Sequence, residues 1–414
     1  MIQKFEEDGY EIVDFESYAD VYVINTCTVT NMSDRKSRQH LRKAKERNKD
    51  GIIVAVGCYV QVAKEELNKI PEIDLCLGTN EKKDIVGIVN EYIDKNKKDI
   101  DIDDVFKVKE YSDFGNITYT EKTRAVIKVQ DGCDRFCSYC IIPYARGRVR
   151  SRKKENVLEE INSIVAEKDI KEVIITGIHT ASYGKDFEEE YKLIDLLEDV
   201  NKIPGIERIR LGSIEPLWLS DDVLKRLVKN VDKFCPHFHL SLQSACTDTL
   251  KRMNRRYTID DFKDIVRKIR LYYENSVLTT DVIVGFPGET DEEFEETVKN
   301  LKEIEFYKMH IFKYSPRKGT KAAQMENQIP GNIKEKRSKV LLNMSDEFEN
   351  IYQRNYIGKK VKVLFEEKDE EGYFRGHTSN YIMVKVKSNK DICNKIIEIK
   401  ITDMQDLILI GEII

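Results

Sequence analysis

Apolar and polar positions change their spacing twice along the chain, and the first segment ends near residue 105. Short apolar runs there alternate with stretches of helical character. The predicted strands cover residues 21–25, 51–57 and 73–77, and the predicted helices cover residues 1–8, 33–49 and 81–93, with Asn31 or Ser33 as the N-cap of the second helix. Strands that alternate with helices predict a parallel sheet with helices on both faces, so we expect an α/β domain over residues 1–105.

The second segment repeats one strand-and-helix unit. Residues 95–120 are acidic and polar, which is typical of a connection. Six strand-like runs follow, each leading toward a helix, at residues 125–129, 173–176, 208–211, 238–242, 278–284 and 309–312. Six such units predict a partial barrel over residues 120–352, built like the eightfold (β/α) barrel, with its site at the C-terminal ends of the strands.

The last segment, residues 353–414, has short strands separated by polar turns. The predicted strands cover residues 360–366, 372–377, 381–386, 396–401 and 407–410. This pattern predicts a small all-β barrel, a fold that often binds nucleic acid. A purely structural cap is the alternative.

Composition excludes several classes of protein. The chain is 41% hydrophobic and 35% charged, and it contains no run of 18 apolar residues, so a membrane span is not expected. Residues 1–20 are acidic and lack the apolar core of a signal peptide. Nine cysteines without a secretory signal favour a cytoplasmic protein with metal ligands over one with disulfides.

Positive charge is concentrated in two stretches although the net charge is -5. One lies at residues 35–49 on a predicted helix, and the other lies at residues 146–154. Such patches can bind phosphates. Solvated surface without a partner is the alternative for each.

Three cysteines form the most informative motif. Cys133, Cys137 and Cys140 have C-x3-C-x2-C spacing directly after a predicted strand. Thiolates are soft ligands that suit iron–sulfur clusters, and three of them can hold three irons of a [4Fe–4S] cube. A structural zinc site normally needs four ligands, and no fourth Cys or His lies nearby. We therefore predict a cluster with one open iron, with buried or redox thiols as the alternative.

Two further cysteines follow predicted strands of the first segment. Cys27 comes after the strand at residues 21–25, and Cys58 comes after the strand at residues 51–57. In open α/β sheets the binding crevice lies at the carboxyl ends of strands. Both cysteines are therefore candidate metal or cluster ligands, and core packing is the alternative.

The cysteine motif, with Tyr139 before its last cysteine and its continuation through residues 141–152, resembles the radical S-adenosylmethionine (SAM) methylthiotransferases. The resemblance implies a Rossmann-like N-terminal domain, a partial (β/α)6 radical SAM barrel and a C-terminal TRAM barrel. It also implies that the open iron binds SAM, which is cleaved to a deoxyadenosyl radical, and that Cys27 and Cys58 ligate an auxiliary [4Fe–4S] cluster.

Short sequence motifs at four successive predicted strand ends also resemble those of the methylthiotransferases. They imply a set of SAM-contacting residues that consists of Tyr139, Thr176, Gly177, Ser213, Glu215, Gln243 and Gly285. A simple turn is the alternative for Gly285. His179 fits a polar loop histidine better than a catalytic base.

The sequence motifs at residues 140–148 and 239–246 most resemble those of the family branch that acts on threonylcarbamoyladenosine. The resemblance implies methylthiolation of C2 of this nucleoside at tRNA position 37. Implied partners are tRNA, SAM, an electron donor such as a flavodoxin or ferredoxin, and a sulfur donor. The alternatives are the isopentenyladenosine branch, the ribosomal-protein branch, and a non-catalytic iron–sulfur protein that binds RNA.

The start of the chain departs from the family. The family begins with a strand that ends in Gly-Cys-x-x-Asn and supplies a first auxiliary ligand, and nothing before Cys27 matches it. We therefore expect an N-terminally truncated chain in which the second cluster is in doubt and only the SAM-cleaving cluster binds stably.

Overall fold

The computed structural model describes residues 1–95, 102–115 and 123–414, and it divides the chain into two compact units. The first unit contains the described residues of Met1–Tyr119 together with Asp131–Ser151 and Ser315–Gln324. The second contains those of Thr120–Gln130, Arg152–Tyr314 and Met325–Ile414. The predicted connection at residues 95–120 falls partly outside the described residues.

The first unit is built on a parallel sheet with the strand order β1-β2-β3. In chain order its elements are α1 (Ile2–Glu7), β1 (Val21–Thr26), α2 (Asn31–Arg47), β2 (Ile52–Gly57), α3 (Cys58–Leu67), β3 (Leu75–Leu77) and α4 (Ile85–Lys95). The chain then passes through β4 (Arg124–Asp131) to α5 (Ile142–Arg146) and β5 (Arg150–Ser151). Separate apolar clusters on the two faces of the sheet confirm the predicted α/β class.

Two details of the first unit differ from the sequence predictions. The N-cap of α2 is Thr30, not Asn31 or Ser33, because Thr30 has extended backbone and its hydroxyl accepts a hydrogen bond from the Ser33 amide at 3.1 Å. Helix α3 has no predicted counterpart. It begins at Cys58, directly after the strand, so no polar stretch separates the two elements.

The second unit contains the six predicted barrel strands, namely β4 with β6 (Glu172–Gly177), β7 (Arg208–Leu211), β9 (His237–Gln243), β10 (Val277–Val284) and β11 (Lys308–Lys313). A short strand, β8 (Ser213–Ile214), pairs with β9. All pairings among these strands are parallel. The intervening helices are α6 (Lys154–Lys168), α7 (Leu193–Asn201), α8 (Asp221–Asn230), α9 (Thr247–Arg252), α10 (Ile259–Tyr272), α11 (Asp291–Ile304) and α12 (Gly331–Arg354).

Burial alternates along these strands. In β4, Ala125, Ile127 and Val129 join the apolar core that includes the helices, whereas Val126 is 64% exposed. The same alternation recurs in β9, in the second half of β10 and at the start of β11. One face of each strand therefore packs on helices, and the other forms the inner face of the partial barrel.

The C-terminal segment closes into a five-stranded barrel with the order β12-β13-β14-β16-β15. Its strands are β12 (Lys360–Lys368), β13 (Tyr373–Thr378), β14 (Met383–Lys387), β15 (Ile396–Gln405) and β16 (Ile408–Ile413). The third strand starts later than predicted because Tyr381 has a φ of 74°, which belongs to a turn.

The closed C-terminal barrel contacts the first residues of two strands of the partial barrel. Arg124 pairs with Glu366 at 2.7 Å, and Arg208 donates to the His377 carbonyl at 2.8 Å. The small barrel therefore packs at the end of the strands opposite the predicted site. Among the described helices, none has both the length and the apolar character needed to cross a bilayer.

Candidate active site

The loop that carries Cys133, Cys137 and Cys140 is held by backbone hydrogen bonds. The Cys133 amide donates to the Gly147 carbonyl at 3.0 Å, and the Cys140 amide donates to the Cys137 carbonyl at 2.9 Å. Gly132 has a φ of 72°, and a Cβ atom there would lie 1.7 Å from the Arg148 carbonyl oxygen. Only glycine fits this close backbone approach, so the path of the loop depends on it.

These three cysteines fit an iron–sulfur cube. All three are partly exposed, and no cysteine of the described chain is joined in a disulfide. Among the described residues, no three His, Cys, Asp or Glu side chains converge on one metal ion. A cube needs no such convergence, because each thiolate binds a different iron. Three soft donors on one braced loop are the donor set that such a cluster requires.

Cys27 and Cys58 leave the sheet of the first unit at the same edge. Thr26 and Gly57 are register partners of the parallel strands β1 and β2, so the following cysteines emerge side by side. Cys27 is exposed and Cys58 is buried. Gly57 has a φ of 114°, which turns the chain directly from β2 into α3.

Arg146 joins Cys58 to the start of the cysteine motif. Its Nε atom donates to the Cys58 sulfur at 3.1 Å, and its Nη1 atom pairs with Asp131 at 3.2 Å. Burial alone would lower the pKa of Arg146, but Asp131 and Cys58 outweigh it, so the pKa is raised. A fixed positive charge and an N–H donor therefore stand at the Cys58 sulfur.

Arg317 holds the loop that follows Cys27. Its guanidinium donates to the Thr28 hydroxyl, to the Asn31 amide oxygen and to the Asp34 carboxylate, each at 2.6 Å. The Arg317 and Asp34 side chains are only 8% and 11% exposed. A buried charge with several partners fixes local geometry strongly, because losing one partner leaves the other charge desolvated.

The remaining predicted cofactor contacts lie in the second unit, whereas Tyr139 lies in the first with the cysteines. Each occurs at or just after the C-terminal end of a strand, and the set is Thr176, Gly177, Ser213, Glu215, Gln243 and Gly285. This is the end of the strands where (β/α) barrels build their sites.

Glu215 and His179 form a pair at this end of the barrel. His179 Nε2 lies 2.5 Å from Glu215 Oε2, and His179 Nδ1 lies 2.7 Å from the Ser182 hydroxyl. The His179 amide donates to the side chain of buried Gln130 at 2.7 Å. Because both ring nitrogens are engaged, His179 orients Glu215 and matches the polar loop histidine expected from sequence.

Gly285 adopts the geometry of a turn. Its φ is 70°, and its amide donates to both carboxylate oxygens of Glu289, at 3.1 and 3.2 Å. A Cβ atom there would lie 2.3 Å from Lys334 Cγ. Gly285 therefore lies in a tight turn, and its contact with SAM stays a prediction.

The two basic stretches differ in how much charge they present. In residues 35–49, acidic partners engage four cations, namely Arg38, Arg42, Lys45 and Arg47. Arg35, Lys36 and Lys43 are exposed and make no ion pair within the described part of the chain. In residues 146–154, Arg150 and Arg152 are 2% and 4% exposed. The prediction that the whole second stretch contacts RNA is therefore wrong for these arginines, which stabilise the fold.

Sequence reasoning missed the arginines that brace the cysteines. In the sequence Arg146 is only one member of a basic patch, and nothing singles out Arg317. Both act on partners far away in the chain, so local spacing carries no signal for them. The Gln130, His179 and Glu215 contacts were missed for the same reason.

Three family models match the chain. The Radical SAM superfamily matches residues 127–301, a family described as "Uncharacterized protein family UPF0004" matches residues 1–78, and the TRAM domain matches residues 354–414.

Curated relatives match over almost the whole chain. A threonylcarbamoyladenosine tRNA methylthiotransferase of Bacillus subtilis is 41% identical over 96% of this chain and 89% of its own length. One from Aquifex aeolicus is 41% identical over 94% of this chain and 93% of its length. A tRNA-2-methylthio-N6-dimethylallyladenosine synthase of Clostridium botulinum is 37% identical over 98% of this chain and 91% of its length.

Solved structures show the same architecture at low identity. The radical SAM methyltransferase TsrM from Kitasatospora setae, solved with tryptophan and a SAM analogue, aligns with a TM-score of 0.55 at 14% identity. The alignment covers 75% of this chain and 68% of that one. At this identity the likeness concerns the fold alone.

Proposed function

Because this chain belongs to the radical SAM tRNA methylthiotransferase family, we propose that it methylthiolates C2 of N6-threonylcarbamoyladenosine at position 37 of tRNA. The observation that carries the choice of substrate is the 41% identity to threonylcarbamoyladenosine enzymes over nearly the full chain. The dimethylallyladenosine branch, at 37% identity, is the second candidate.

The cysteines take two roles in this proposal. Cys133, Cys137 and Cys140 hold the SAM-cleaving [4Fe–4S] cluster, and Cys27 and Cys58 contribute ligands to the auxiliary [4Fe–4S] cluster. The bound cluster supplies the electron that cleaves SAM. The protein keeps the thiolates in place through the backbone bonds at Cys133 and Cys140 and through Arg146 and Arg317.

SAM itself contacts the strand ends of the second unit. We assign Tyr139, Thr176, Gly177, Ser213, Glu215 and Gln243 to this role, and Gly285 forms the adjoining turn. His179 holds the Glu215 carboxylate in one orientation. A preoriented carboxylate can bind a polar group of the cofactor without reorganising when it arrives.

The proposed division of labour follows the three predicted domains, at residues 1–105, 120–352 and 353–414. The terminal barrel and the exposed cations Arg35, Lys36 and Lys43 bind tRNA phosphates. The reaction needs an electron donor such as a flavodoxin or ferredoxin, and a sulfur donor. The cytoplasm supplies both tRNA and reduced thiols.

Nucleoside analysis tests the substrate directly. In tRNA from a strain that lacks this protein, mass spectrometry should show loss of the methylthio form of threonylcarbamoyladenosine and accumulation of its unmethylthiolated precursor. Loss of the dimethylallyl product instead would establish the second candidate.

Anaerobic reconstitution separates an enzyme from a non-catalytic RNA-binding protein. With SAM and dithionite the reconstituted chain should release 5′-deoxyadenosine. A chain that binds RNA but releases none would refute the enzymatic assignment.

A further inference from the structure

The inner face of the radical SAM barrel carries a polar layer that the proposed SAM contacts do not use. The layer consists of His239 on β9, Asp281 on β10 and His310 on β11. The neighbours of these residues along each strand, such as Leu240, Val282 and Met309, pack into the helical core. Strand alternation therefore points the three polar side chains inward.

The three side chains lie close together. Asp281 and His310 are register partners, and the rings of His239 and His310 have centroids 5.7 Å apart. His239 Nε2 lies 3.3 Å from Asp281 Oδ2, and His239 Nδ1 lies 2.9 Å from the Thr279 hydroxyl. The layer is thus preorganised on rigid strands.

The barrel is filled below this layer. The ring of Tyr381, from the small barrel, stacks on the ring of His237 with centroids 5.0 Å apart. The guanidinium carbon of Arg210 lies 4.6 Å from the centroid of the Tyr381 ring. His237 and Arg210 are 8% and 3% exposed. Packed protein side chains therefore occupy this end of the inner face, and His239 of the polar layer lies two residues further along β9.

The layer itself retains solvent access and unused hydrogen-bonding capacity. His310 is exposed, and the Asp281 side chain is 27% exposed. Within the described residues neither ring nitrogen of His310 makes a hydrogen bond. Although His310 is exposed, the surrounding barrel partly desolvates its ring, and this effect, followed by nearby His239, lowers the pKa of His310, so at neutral pH its ring offers one donor and one acceptor.

We infer that the layer of His239, Asp281 and His310 binds the N6-threonylcarbamoyl group and thereby selects it over a dimethylallyl group. This inference rests on the proposed function. The threonylcarbamoyl group carries a hydroxyl, a carboxylate and ureido N–H groups. Asp281 can accept from the hydroxyl or a ureido N–H, His310 can donate to the carboxylate, and His239 holds the Asp281 carboxylate in place.

The polar layer should also disfavour binding of a dimethylallyl group. A dimethylallyl group makes no hydrogen bonds, so entering the layer would strip water from Asp281 and His310 without replacing it. Sites built to hydrogen-bond a substrate discriminate strongly against analogues that lack the polar group. The same layer therefore accepts one branch of substrates and excludes the other.

Binding of synthetic anticodon stem-loops tests the inference. Three RNAs would differ only at position 37, which carries threonylcarbamoyladenosine, adenosine or dimethylallyladenosine. We expect the wild-type protein to bind the threonylcarbamoyladenosine RNA at least about tenfold more tightly than the adenosine RNA, roughly the effect of one or two net hydrogen bonds. Asp281→Leu and His310→Phe should each remove most of this preference, because each deletes the hydrogen-bonding group.

Controls separate the possible causes of failure. Asp264→Asn, at a carboxylate on α10 whose side chain is 43% exposed, should keep the full preference. Thermal midpoints close to that of the wild-type chain would show that the variants fold, and Asp281→Leu keeps the branched shape of the side chain. If both variants keep the tenfold preference, the layer does not read the group and the inference is overturned. If the unmodified chain prefers the dimethylallyl RNA, the proposed substrate itself is wrong.

Discussion

The two cysteine sites of the first unit are built in opposite ways. Cys133, Cys137 and Cys140 lie on one loop whose shape comes from its own backbone hydrogen bonds and from Gly132. Cys27 and Cys58 come from two strands, and distant arginines brace their surroundings. The first site is encoded in a short segment, whereas the second exists only once the chain has folded.

This difference predicts which changes damage each site. A local site fails when a ligand or a required backbone conformation is removed. An assembled site also fails when a side chain from a distant part of the sequence loses the hydrogen bonds that hold the site together. The hydrogen bond from Arg317 to Thr28 spans 289 positions of the chain, so a change at either end acts on the same loop.

Loss of a thiolate should have the largest effect. Cys133→Ala, Cys137→Ala or Cys140→Ala should each abolish SAM cleavage, because a three-thiolate cube has no spare ligand. Release of 5′-deoxyadenosine after anaerobic reconstitution measures this. Cys393→Ala, a partly exposed cysteine of the small barrel, is the matched control and should retain activity. Full activity in any of the three motif variants would disprove the ligand assignment.

Arg317→Met should loosen the assembled site. Removing the guanidinium leaves Asp34 buried without its charge partner, a change that typically costs about 3–5 kcal/mol. Hydrogen exchange of amides 28–34 should accelerate strongly. Adding Asp34→Leu removes the orphaned charge and should recover much of the stability. If the double variant exchanges as fast as the single one, desolvated charge is not the cause.

Gly132→Ala should damage the local site through the backbone. A methyl group would have to move the Arg148 carbonyl, and the left-handed conformation adds its own penalty, for a total of about 2–5 kcal/mol. Iron retained after reconstitution should fall. Gly9→Ala is the control, because Gly9 has a φ of 90° with nothing within 4 Å of the added carbon, so only the conformational penalty of about 1–2 kcal/mol applies. Equal effects in the two variants would contradict the steric argument.

The same contrast explains what the sequence could and could not predict. The cysteine loop, the six barrel strands and the closed terminal barrel follow from spacing, alternation and turn residues, which are local properties. The emergence of Cys27 and Cys58 at one sheet edge follows from the parallel topology. The roles of Arg146, Arg317 and the His239 layer arise from contacts between distant segments, which no local pattern encodes.

The basic stretches near the two cysteine sites also differ, in how many of their cations are exposed. A test of their role in tRNA binding is expected to give the smallest effect. The stretch beside the local site buries Arg150 and Arg152, whereas the stretch on α2 keeps Arg35, Lys36 and Lys43 exposed. Arg150 and Arg152 are therefore closed to phosphates, whereas the three cations on α2 are open to them. Removing one cation that binds a phosphate should flatten the log–log salt dependence of tRNA binding by about 0.7–0.9. The double variant Lys36→Glu/Lys43→Glu should therefore flatten the log–log salt dependence by roughly twice that amount. Binding titrations across a salt series measure this slope.

Lys225→Glu on α8 provides the control for this measurement, because its side chain is 63% exposed but lies in the second unit, outside the basic stretch. It should leave the slope unchanged apart from long-range screening. An unchanged slope in the α2 double variant would mean that this face of the helix is solvated surface. In that case the tRNA affinity would have to come from other surfaces, such as the terminal barrel, and the exposed cations on α2 would play no part in recognition.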